Sequence, residues 1–93
     1  MNMNRNTINQ CQIAIQGLEQ IFTPQEISEC MSYVTEYGEW LLGLELAIDW
    51  LVESNQKISL DNYQEFEKAY KLMNRELDVR LKELRLQADR RAK

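Results

Sequence analysis

The sequence predicts an all-α fold: a compact antiparallel bundle of three to four helices ending in a long C-terminal helix. Three observations lead there. The 93 residues include one Pro and three Gly, and Leu, Ile, Glu, Gln, Lys and Arg dominate, all of which tolerate helix well. Apolar residues recur at spacings of three and four along most of the chain. The clearest local signals are helix caps rather than hairpin turns. The length suits a single helical domain over 1–93, with about 1–5 and 88–93 frayed.

The first helix is expected over residues 6–22. Ile8, Cys11, Ile15, Leu18 and Phe22 share one face, widened by Ala14 and Ile21. Asn9, Gln12, Gln16, Glu19 and Gln20 fall largely on the other side. "TPQE" at 23–26 then starts a second helix. Thr23 suits the N-cap, and Pro24 suits the first helical position, where its missing N–H costs nothing. Glu26 stands three residues past the cap, where its carboxylate reaches back to the cap N–H. Ile27, Cys30, Met31, Val34 and Tyr37 give this helix its apolar face.

Gly38 either caps that helix in the left-handed region or rides inside one longer helix; a break or kink is the preferred reading. A third helix follows over 39–53, and "SNQK" at 54–57 is a loop. "ISLDNYQEFEKAYKLM" restarts helix, capped by Ser59 or Asp61. Tyr63, Phe66, Tyr70 and Met73 line its inner face. Leu77, Leu81 and Leu84 continue the stripe, which is why the last helix is expected to be long.

The third helix holds the main anomaly. On a helical wheel Leu41, Leu44, Ile48, Leu51 and Val52 gather on one arc, the expected core face. Leu42, Leu46 and Trp50 form a second apolar stripe, as in a helix with two neighbours. Glu45, Asp49 and Glu53 form an acidic row between the two. Like charges at four-residue steps repel by a few tenths of a kcal/mol per pair. No basic residue occurs between Arg5 and Lys57. On the residues alone this is either a solvated acidic face or a surface shaped for a basic protein, with Trp40 or Trp50 as an aromatic anchor.

Charge is unevenly divided. Residues 1–74 hold 4 basic and 11 acidic side chains, and residues 75–93 hold 7 basic and 4 acidic, which gives the net −4. An acidic body repels nucleic acid and anionic membrane and attracts basic partners. The basic end is diluted by Glu76, Asp78, Glu83 and Asp89, and Glu76–Arg80 and Asp78–Lys82 have the spacing of helical i,i+4 pairs. Nucleic-acid binding is therefore not expected.

Catalytic chemistry has little to work with. There is no histidine, which removes imidazole acid–base and triad mechanisms. No phosphate-cradling Gly loop or metal-ligand spacing is present, so no enzyme, metal or cofactor is expected. Cys11 and Cys30 fall among apolar positions, as small buried hydrophobes in a reducing compartment do. The opening "MNMNRNTINQ" lacks a signal-peptide core, and "WLLGLELAIDWLV" is too short and too acidic to span a bilayer. A cytoplasmic location without membrane contact is expected.

The block "EYGEWLLGLELAIDWLVESNQKISLDNYQEF" resembles the small helical immunity proteins of bacterial polymorphic-toxin and contact-dependent-inhibition systems, the MafI-type family in particular. The elements of resemblance are Gly38-Glu39, then Leu42, Leu44, Glu45, Asp49, Leu51 and Glu53, then Ile58-Ser59 and Tyr63. They span about a third of the chain. The resemblance implies a cytoplasmic monomer or weak dimer that binds and neutralises the C-terminal domain of a cognate toxin. Such toxins are often nucleases with a basic cleft. Carried onto this chain, it nominates Glu39, Glu45, Asp49 and Glu53 as charge contacts, with Glu36 and Trp40 as outer candidates. The alternative is a helical adaptor that self-associates through the stripe Phe66, Tyr70, Met73, Leu77, Leu81 and Leu84 on its last helix.

Overall fold

A computed structural model describes residues 3–89, with side chains from Arg5 onward. Five helices occur among the described residues: α1 (Met3–Gln16), α2 (Pro24–Thr35), α3 (Trp40–Glu53), α4 (Leu60–Leu72) and α5 (Val79–Leu86). Two short strands, β1 (Ile58–Ser59) and β2 (Ala88–Asp89), pair in parallel. The fold is mostly helical, as expected. Its radius of gyration is 12.1 Å, close to the ~12 Å of a compact chain this long.

α1 stops at Gln16, short of the expected Phe22, and residues 17–21 continue as turns. The reason is tertiary. Asn62 at the start of α4 donates from Nδ2 to Gly17 O at 3.1 Å, and a Cβ at Gly17 would lie 2.7 Å from that nitrogen. The chain then turns into the capping box at Thr23. Glu26 N–H donates to Thr23 Oγ1 at 3.2 Å, and Thr23 N–H donates to Glu26 Oε1 at 2.8 Å.

Gly38 separates α2 from α3, with φ +66. Glu39 N–H closes the turn on Tyr33 O at 2.8 Å. The resulting α2–α3 hairpin packs closely because Gly43 has no side chain: a Cβ there would lie 2.8 Å from Cys30 O and 2.9 Å from Val34 Cγ2. α3 ends in a Schellman motif, with Asn55 at φ 54, Gln56 N–H on Leu51 O and Asn55 N–H on Val52 O. Ser59 caps α4 by accepting from Asn62 N–H at 3.0 Å.

The long C-terminal helix is not present. α4 ends at Leu72 in a second Schellman motif, with Asn74 at φ 57 and Arg75 N–H on Tyr70 O at 2.8 Å. Asp78 then caps a new helix, its Oδ1 accepting from Arg80 N–H at 2.8 Å. α5 folds back against α3 and α4. Phe66, Tyr70, Leu81 and Leu84 are buried in the common core, Met73 is half-buried, and Leu77 is 79% exposed at the break. The stripe required by the self-associating alternative is thus divided between two helices and mostly used up inside the molecule.

The core is built from Cys11, Ile15 and Leu18 of the α1 region, Cys30 and Val34 of α2, Leu44, Ala47, Ile48 and Leu51 of α3, and the α4–α5 residues just named. Leu41 and Val52, expected on the core arc, are half-buried at its margin, and Gly43 and Ala47 take the inner positions instead. Both cysteines are buried and free, and burial pushes each thiol up to about 12. Of the ends expected to fray, residues 1–2 and 90–93 lie outside the described residues, and with them Arg90, Arg91 and Lys93 of the basic terminus, while residues 3–5 already belong to α1. Ala88–Asp89 pairs with Ile58–Ser59, and buried Gln87 donates to Gln56 O at 2.9 Å. No helix among the described residues is long and apolar enough to cross a membrane.

Candidate functional site

α3 positions most of the nominated residues. Gly43, Leu44, Ala47, Ile48 and Leu51 face inward. The opposite arc carries Leu42, Glu45, Asp49 and Glu53, in line with the 100° step of the helix. The six nominated residues do not form one continuous surface; they fall in three places.

The first place is the α2–α3 turn. Glu36 is the C-cap of α2, and Glu39 occupies the N-cap position of α3 without making a side-chain cap. Both are exposed and have no ion-pair partner among the described residues. Trp40 beside them is half-buried, and its indole Nε1 is buried with no hydrogen-bond partner. Tyr33 and exposed Tyr37 stack at a tilt 5.8 Å apart on the same turn. The turn therefore combines two unpaired carboxylates with aromatic surface.

The second place is the middle of α3, where the structure changes the meaning of the acidic row. Arg80 of α5 reaches across, its Nε donating to Asp49 Oδ1 at 3.0 Å and its Nη1 to Glu45 Oε2 at 3.3 Å. Nη2 makes a longer contact with Asp49 Oδ2 at 3.5 Å. The hydrogen bond to Asp49, then the charge of Glu45, hold the guanidinium further above its already high value, so it stays protonated. The helical pairs expected for this segment do not form: Asp78 caps α5, and Arg80 turns away from Glu76 to α3. Arg80, Tyr33, Leu42 and Leu46 border a recess of about 120 Å³ with the two acids. Beneath this network the Tyr70 hydroxyl is buried without a hydrogen-bond partner. Burial and the charge of Asp78 raise its pKa, so it is neutral.

The third place is the C-terminal end of α3. Glu53 is exposed there and unpaired among the described residues. It borders a cleft of about 380 Å³ together with Ile21, Phe22, Glu26 and Trp50. Phe22 and Trp50 meet edge to face, 5.7 Å between centroids at 71°.

Sequence reasoning missed Arg80, because its partners lie 31 and 35 positions away. It also missed the position of Glu26 beside the cleft, since the capping signal accounted for that residue by itself. Among the described residues no group of three or more His, Cys, Asp or Glu side chains is arranged to hold a metal ion. No family model, no curated protein and no solved structure matches the chain.

Proposed function

We propose that this protein is a bacterial immunity protein, a non-enzymatic cytoplasmic inhibitor that binds the basic surface of a cognate toxin domain. The observation that carries this is the charge of the α1–α3 region. No cation occurs between Arg5 and Lys57, while Glu36, Glu39 and Glu53 stand exposed and unpaired on a closely packed helical hairpin.

Stability alone gives little reason for that pattern. Glu36 and Glu53 sit at helix C-termini, where the macrodipole disfavours a carboxylate by a few tenths of a kcal/mol. A basic partner would turn that cost into attraction and speed encounter. Burial of Leu44, Ile48 and Leu51 holds the hairpin in shape, so little ordering is left to do on binding. The toxin class comes from the resemblance carried by Gly38-Glu39, the α3 pattern and Ile58-Ser59.

All six nominated residues remain candidates, with different roles. Glu36, Glu39 and Glu53 are the open charge contacts, and Trp40 is the aromatic neighbour. Glu45 and Asp49 engage a partner only together with Arg80 or by exchanging it.

The test is co-expression with the toxin-like C-terminal region encoded just upstream. Rescue of growth together with a co-purifying complex is the expected result. A toxic neighbour that this chain neither rescues nor binds would defeat the proposal.

A further inference from the structure

The row Glu45, Asp49, Glu53 runs along α3 at four-residue steps, and the fold treats its members differently. The first two carboxylates hold the guanidinium of Arg80. The third has no cation, yet it borders a cleft with the parts needed to hold one. We propose that the cleft between the α1–α2 turn and the C-terminal end of α3 is the docking site for an arginine side chain of the protein partner. For its biological occupant this rests on the partner-binding reading above.

Three features select the occupant. Charge comes first: Glu26 and Glu53 border the cleft, and none of its lining residues is basic. Glu26 Oε1 accepts from Thr23 N–H, which leaves its second oxygen and its negative charge available. The walls come next. The edge-to-face pair Phe22–Trp50 supplies aromatic surface beside the two carboxylates. Arginine suits that combination better than lysine, because its planar fork bonds carboxylates while its face stacks on rings. Size is third. A cleft of about 380 Å³ is at the low end for a small-molecule pocket and suits one long side chain.

The helix end adds to this. α3 has no basic residue in its last turn, so the negative end of its dipole is uncompensated from within the helix. A cation in the cleft would stand near that end and between carboxylates from two different elements. The fold makes this juxtaposition, since Glu26 and Glu53 are far apart in sequence and belong to α2 and α3.

The test uses the whole chain and needs no toxin. The ¹H–¹⁵N resonances of the two tryptophan indoles, assigned with a Trp40→Phe variant, are followed during titration. The probes are acetyl-Gly-Arg-Arg-Gly-amide and its Lys-Lys counterpart. The Trp50 indole should shift saturably with the arginine peptide and do so at lower concentration than with the lysine peptide. Glu53→Gln or Glu26→Gln should weaken the arginine peptide about fivefold, as expected for loss of one charge-assisted contact. Glu26→Gln keeps a residue able to close the capping box, so the fold is preserved. Glu83→Gln, at an exposed carboxylate of α5, should leave the titration unchanged. Equal, unsaturable shifts with both peptides, or shifts indifferent to Glu53→Gln and Glu26→Gln, would overturn the site. Toxin affinity unchanged by both Gln substitutions together would also overturn it, while leaving toxin neutralisation intact. Saturable arginine-peptide binding by a chain that rescues no toxin would keep the cleft and remove the immunity reading.

Discussion

Removing Arg80 should loosen α5 from α3 by a small, measurable amount. The strongest of its contacts is Nε to Asp49 Oδ1 at 3.0 Å; Nη1 to Glu45 Oε2 is longer at 3.3 Å. The Arg80 and Asp49 side chains are 40% and 42% exposed, so solvent screens the pair heavily. Pairs of that kind contribute about 0.5–1 kcal/mol. Losing the guanidinium also leaves Glu45 and Asp49 repelling one another at i,i+4, a few tenths of a kcal/mol more. Arg80→Gln should therefore cost about 1 kcal/mol, or about 4–8 °C in Tm for a chain of this size. A double-mutant cycle with Asp49→Asn, by urea unfolding at low salt, should give a coupling of about 0.5–1 kcal/mol. The coupling should shrink in 1 M NaCl, where the screening length falls to about 3 Å. Zero coupling at low salt, or coupling that ignores salt, would refute the assignment of Arg80 as the neutraliser of Glu45 and Asp49.

Three further outcomes follow from the packing. Gly43→Ala should destabilise by about 1–2 kcal/mol despite the better helix former, because its Cβ must displace Cys30 O and Val34 Cγ2; a stabilised variant in thermal melts would contradict the close hairpin. Asn74→Ala should cost about 1 kcal/mol at its φ of 57 while Asn74→Gly is near neutral, and equal losses would argue against the break after α4. Both buried thiols are held at about 12 against an ordinary 9.0, so the unfolded chain releases those protons first. Stability should be intact below about pH 9 and fall above it by roughly 1.4 kcal/mol per thiol per pH unit. Urea midpoints measured from pH 8 to 11 should show this, and Cys11→Ala with Cys30→Ala should flatten the decline.

What was legible in the sequence was local. Thr23, Pro24 and Glu26 act within one turn, and the capping box forms as their spacing requires. Gly38 and Ser59 likewise mark a break and a start with residues suited to those backbone angles. The end of α4 was obscured because Met73, Leu77 and Leu81 keep a helical spacing across it. Asn74 and Asp78, the residues that stop and restart the helix, are each common enough to pass as surface polar residues. The early end of α1 depends on Asn62, forty-five positions away. At the candidate site, spacing correctly put Glu45, Asp49 and Glu53 on one outward row. It could not show that Arg80 crosses from another helix, since helical partners were available to Arg80 at shorter range. Nor could it place Glu26 beside Glu53, a neighbourhood created by the α2–α3 hairpin.

On the reading proposed above, the open carboxylates of the α2–α3 turn and of the C-terminal end of α3 bind a basic toxin surface. The most direct test is the affinity of the co-expressed toxin region for the wild-type chain and for the triple variant Glu36→Gln, Glu39→Gln, Glu53→Gln. Both proteins should be equally folded by circular dichroism. The wild-type complex should be salt-sensitive and weakened at least tenfold by the triple variant, since three charge-assisted contacts exceed the about 1.4 kcal/mol that a tenfold loss requires. A complex of unchanged affinity, or one indifferent to salt, would contradict it.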